Sequence, residues 1–146
     1  MAELHLTGYL TGDYNGIIAL TEKQFKDSDI SSDRYGNSIV TSIEDFAKEN
    51  GLFGEHSKGL GGRVSYIENC NVRIYFTDKT CSLEQAMLAL DNYIEGGDLK
   101  TRVNWVGYSE YTITGLDLET FTIGGHDLDN ILSCHLGEYC HFILEV

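Results

Sequence analysis

The sequence predicts an α+β domain: an antiparallel or mixed sheet with about three helices packed mainly on one face. Three observations carry this. Short runs rich in β-branched and aromatic residues recur along the chain. Three polar-capped segments have apolar residues at helical spacing. The 146 residues, 42% hydrophobic and 23% charged, fit one domain over 1–146 with a core that needs no metal or disulfide. No linker or repeat divides the chain.

In order, Leu4–Leu10 alternates and reads as a strand. The run Gly12-Asp13-Tyr14-Asn15-Gly16 reads as a turn, and Ile17–Leu20 as a second strand. Asp27–Asn37 is polar and reads as a loop. Thr41 and Glu44 form a capping box ahead of Ile43, Phe46 and Ala47, and Gly51 stops that helix. A glycine-rich run follows from Gly51 to Gly62. Val64–Glu68 and Val72–Thr77 flank Asn69-Cys70-Asn71, which reads as a hairpin turn because asparagine tolerates positive φ.

Ser82 and Gln85 make a second capping box. It opens a helix to Glu95 with Leu83, Met87, Leu90 and Ile94 as its stripe, ended by Gly96-Gly97. Leu99–Ile123 reads as two or three strands broken near Gly107 and Gly115. Asp127 caps a short helix to His135 that buries Leu128, Ile131 and Leu132. Tyr139–Val146 is a final strand with Cys140, Phe142, Leu144 and Val146 on one face.

The charge is the distinctive property. Asp plus Glu number 23 against 10 Lys plus Arg, a formal charge of -13. Residues 1–73 hold 11 acids and 7 bases, whereas 74–146 hold 12 acids and 3 bases. From Val103 to Val146 there is no Lys or Arg. Such a surface repels phosphates and anionic membranes and attracts basic proteins, so direct nucleic-acid binding is not expected. No run approaches a membrane span, and Met1–Leu10 lacks the basic start of a signal peptide. The four cysteines then read as reduced thiols of a cytoplasmic protein.

Motifs for chemistry are sparse. Cys134-His135 and Cys140-His141 carry zinc-ligand types, but no Cys-x2-Cys pair exists and neighbours on a strand point to opposite faces. Neither metal nor cofactor is expected. His5-Leu6-Thr7 resembles the His-x-Thr half-motif of two-histidine phosphoesterases. The second His-x-Ser/Thr that chemistry requires is absent, which excludes the activity. The carboxylate pairs Asp27/Asp29, Asp117/Glu119 and Asp127/Asp129 do not continue as calcium loops. No nucleophile elbow or nucleotide fingerprint occurs, which weighs against an enzyme without excluding one.

Charge therefore leads the functional expectation: a non-catalytic acidic protein that blocks a basic partner surface, foremost the groove of a nucleic-acid enzyme. Small acidic single-domain proteins of that class include phage-encoded inhibitors of restriction or CRISPR defence, and immunity proteins against nuclease toxins. The contact residues expected are Glu110, Asp117, Glu119, Asp127 and Asp129, with Tyr108 and Tyr111 as anchors and Trp105 inward. Two other classes compete. One is an anion-binding protein or enzyme using the Gly51–Arg63 loop, with His56, Lys58 and Arg63 as contacts. The other is a structural subunit of a larger assembly.

Overall fold

The computed structural model describes residues 2–12, 18–22, 37–53, 66–95 and 105–146. It corrects the expected fold class. The chain is mainly β, an eight-stranded antiparallel sheet curled into a half-barrel with three short helices, rather than a helical layer packed on a sheet face. The strands are β1 (Glu3–Gly12), β2 (Ile18–Thr21), β3 (Asn37–Ser38), β4 (Tyr66–Thr77), β5 (Trp105–Asp117), β6 (Thr122–Ile123), β7 (His126–Asp127) and β8 (Tyr139–Glu145). Their order across the sheet is β3-β2-β1-β8-β4-β5-β6-β7. The helices are α1 (Ile39–Glu49), α2 (Leu83–Glu95) and α3 (Leu128–Ser133).

Period-two alternation sorts the central strands into two faces. Leu4, Leu6 and Leu10 of β1, Cys140, Phe142 and Leu144 of β8, and Val72, Ile74 and Phe76 of β4 belong to one apolar cluster. The register aligns them, with Leu6 and Ile74 both opposite Phe142. Ile39, Ile43 and Ala47 of α1 and Leu128 and Leu132 of α3 fill the same side. Burial of Phe76 or Phe142 contributes about 2–3 kcal/mol each. The other face is covered by α2, through Ala86 against Tyr9, Tyr75, Tyr139 and Ile143. The helices thus serve two faces, because a curled sheet buries its inner side with two short plugs and leaves its outer side to one helix.

Several local expectations are also corrected. Asn69 has the positive φ of 52° anticipated for it, but it forms a bulge inside the continuous β4, not a hairpin. The Asn71 carboxamide oxygen accepts the Ile113 N–H at 2.7 Å and ties the irregularity to β5. β5 is likewise one strand of 13 residues. Its glycines are places of close approach. A Cβ on Gly107 would lie 2.8 Å from the His135 ring, and Gly115 lies under the Tyr66 phenol.

α1 starts one turn earlier than expected. Ser38 caps it by accepting the Thr41 N–H at 3.2 Å, and Glu44 pairs with Lys48 at 2.8 Å. The Ser82–Gln85 box is present in both directions, at 2.9 and 3.2 Å. α2 nevertheless buries Ala86 and Ala89, with Leu83 and Leu90 half-buried and Met87 exposed. Asp127 caps α3 by accepting the Asn130 N–H at 3.2 Å. No described helix is long and apolar enough to cross a membrane. The turn at 13–17, the loop at 27–36, the Gly96-Gly97 stop and the side chains of Ile94 and Trp105 lie outside the described residues.

Candidate functional site

The cation-free stretch runs through β5, β6, β7, α3 and β8; β5 to β7 lie together at one end of the sheet, whereas β8 lies between β1 and β4. At the β7 end of the sheet the register places Asp117 opposite Thr122 and Thr122 opposite Asp127. Asp117 and Asp127 therefore share a face two strand spacings apart, about 10 Å. Glu119 is exposed in the turn between β5 and β6. Asp129 follows within the first turn of α3. Burial, and secondly the neighbouring Asp127 charge, pushes its carboxyl above the ordinary value.

These acids also hold the backbone. Asp117 accepts the Glu119 N–H at 2.9 Å, and Asp127 is the α3 cap. Glu110 lies seven residues before Asp117, roughly 20 Å along the strand. It is exposed and accepts the Tyr108 hydroxyl at 3.1 Å. Tyr108 rests on Tyr75, ring centroids 4.7 Å apart, and burial pushes its phenol well up. Tyr111 instead packs with the main core, its ring 5.4 Å from His126. The structure thus groups Asp117, Glu119, Asp127 and Asp129, sets Glu110 with Tyr108 farther along β5, and turns Tyr111 to the opposite face. His56, Lys58 and Arg63 lie outside the described residues, as do Asp27 and Asp29.

The outer face carries a second constellation, which sequence reasoning missed. Cross-strand register forms three rows: His5–Ile143–Arg73–Glu110, then Thr7–His141–Tyr75–Tyr108, then Tyr9–Tyr139–Thr77. His141 is buried, and its Nε2–H donates to the Cys81 carbonyl at 2.9 Å. That bond fixes the tautomer, leaving Nδ1 to accept from His5 Nε2–H at 2.9 Å. Burial holds both imidazoles below their ordinary value, and for His141 the adjoining His5 adds to this.

The Cys81 thiol, raised by burial, lies 3.4 Å from the Thr77 hydroxyl and 3.7 Å from His141 Nε2. Arg73 pairs with Glu145 at 3.1 Å and donates to the Tyr75 hydroxyl at 3.4 Å. The only advance signal was polar alternation on the strands holding His5, Thr7 and Tyr9 and holding Tyr139 and His141. The pairing register is not written there. Chemically the two imidazoles bond each other and His141 spends both nitrogens, so they are not an acid and a base flanking a substrate.

The Cys/His pairs separate. Cys134 is exposed at the α3 C-cap. His135 stacks on Phe76 at 3.8 Å and pairs with Glu138 at 2.7 Å. Cys140 is fully buried in the core, with its thiol pushed well up by burial, on the face opposite His141. Among the described residues no group of three or more His, Cys, Asp or Glu is arranged to hold a metal ion. Comparisons with protein-family models, with curated proteins and with solved structures find no match.

Proposed function

We propose that this protein acts by binding, its acidic sheet end occupying the basic groove of a nucleic-acid enzyme and blocking it. One observation carries the proposal: in a chain of net charge -13, β5 to β7 at one end of the sheet and the adjoining α3 hold no Lys or Arg. The carboxylates of Asp117, Glu119, Asp127 and Asp129 then present fixed negative charge where a partner expects phosphates. Glu110, beside the Tyr108 ring, is a further contact. Caps and turns already hold Asp117 and Asp127, so little side-chain freedom is lost on binding. The histidine pair belongs to the fold's outer face, where both ring nitrogens of His141 are already hydrogen-bonded.

The test is affinity capture from lysate at low and high salt, with captured proteins identified by mass spectrometry. A nucleic-acid-binding protein held at low salt and released at high salt is the expected result. Glu110→Lys with Glu119→Lys should reduce its capture at least ten-fold. Asp127 is a poor choice for reversal, since losing the α3 cap costs about 1 kcal/mol of stability by itself. Capture that ignores both salt and charge reversal, or no nucleic-acid-binding protein at low salt, would overturn the proposal.

A further inference from the structure

We propose that the outer edge of β5, from Val106 to Thr114, receives an extended, lysine- or arginine-bearing segment of the partner as an added antiparallel strand. The inference rests on the binding proposal above and names how the partner is held. β5 pairs with β4 along its length, but β6 meets it only at Leu116 and Asp117. Gly124 N–H extends that contact by one bond, to the Gly115 carbonyl at 3.0 Å. Among the described residues no strand pairs with the outer side of Val106–Thr114. These nine residues span about 30 Å, longer than an ordinary strand.

Proteins blunt such an edge with proline, with lysine or with a covering element. The chain has no proline at all and no lysine or arginine after Arg102. Bulges on this edge lie only toward its two ends, at Val106, where Phe76 and Thr77 face Gly107 and Trp105, and at Ile113, with φ 47°. An edge unpaired among the described residues is a template for β-augmentation, where backbone bonds supply affinity and alternate side chains supply specificity.

Charge selects the occupant. Glu110 is exposed near the middle of the edge and has no cation among the described residues, because Arg73 across the strand pair is spent on Glu145. The Tyr108 hydroxyl holds the Glu110 carboxylate in place at 3.1 Å. Val106 and Ile113, the latter 72% exposed, offer apolar contact toward either end. A basic strand satisfies all three. A second copy of this chain is disfavoured, since two-fold antiparallel pairing brings Glu110 near its own mate and -13 against -13.

The probe is a synthetic ten-residue peptide alternating lysine with valine, alongside the same peptide N-methylated at alternate backbone nitrogens. N-methylation preserves charge and removes the strand's hydrogen bonds. Titration into the 15N-labelled full chain should shift and protect amides of 106–114, and N-methylation should weaken binding at least ten-fold. Thr112→Lys, which puts a like charge on the edge, should weaken the unmodified peptide several-fold while leaving the thermal midpoint in place. Equal binding of the two peptides overturns the edge inference and leaves the charge-based proposal standing. Failure of the unmodified peptide to bind, or a concentration-dependent dimer through 106–114 in ultracentrifugation, also overturns it.

Discussion

His141 shows what one buried side chain commits this protein to. With its Nε2–H on the Cys81 carbonyl and Nδ1 accepting from His5, the neutral form is built into the outer face. Burial lowers both histidines from 6.5 in the fold; at His5, Glu3 opposes the shift and Arg73 adds to it, and at His141 the Cys81 hydrogen bond opposes it and His5 adds to it. An unfolded chain takes up protons below that value before the fold does. Stability from this pair is thus present above about pH 6.5 and lost as pH falls toward the folded values. The thermal midpoint should fall between pH 7.5 and 5.5, a window in which ordinary carboxylates stay ionised. His5→Gln should flatten that slope. A flat profile, or imidazole resonances titrating at or above 6.5, would contradict the assignment.

Among the elements, β1 depends most on a single glycine. Gly8 has φ 154°, and a Cβ there would stand 2.9 Å from Leu20 Cβ and 3.0 Å from the Thr21 carbonyl oxygen. The second neighbour is backbone, so β2 must move to admit it. Gly8→Ala should cost at least about 2 kcal/mol, combining an unfavourable φ with overpacking. Denaturant unfolding measures it, and a midpoint unchanged from the parent would count against the β1–β2 pairing. The glycines of β5 are a different matter. Gly107 and Gly115 make room for His135 and Tyr66 without interrupting the strand, which is why a sequence rule that reads glycine as a break divides β5 wrongly.

For the whole molecule, self-repulsion is the governing electrostatic term. Charge of -13 opposes compaction. Exposed ion pairs such as Glu44–Lys48 return little, typically under about 1 kcal/mol. Screening shortens the range of repulsion to about 10 Å at 0.1 M salt. Raising sodium chloride from 20 to 500 mM should therefore lift the thermal midpoint by roughly 2–4 °C, as a relief of ~1 kcal/mol would. A midpoint that falls with salt would mean that attractive pairs outweigh the repulsion. The same salt that stabilises the free protein should weaken its hold on the proposed basic partner, so stability and capture are expected to move in opposite directions.

The sequence by itself determined what depends on near neighbours. The Ser82–Gln85 box, the Asp127 cap and the apolar face of Cys140, Phe142 and Leu144 follow from residues a few positions apart. So does the acid excess, which needs only counting. Tertiary structure decided the rest. The sheet order β3-β2-β1-β8-β4-β5-β6-β7 joins β1 to β8, and His5 to His141, across 136 positions. It also sent α2 to one face and α1 and α3 to the other, where the expectation had the helices mainly on one face. Local patterns specify which face of an element is apolar, but not which other face it meets. That choice is made by the curl and register of the assembled sheet, whose long-range pairings leave no mark on spacing within a single strand.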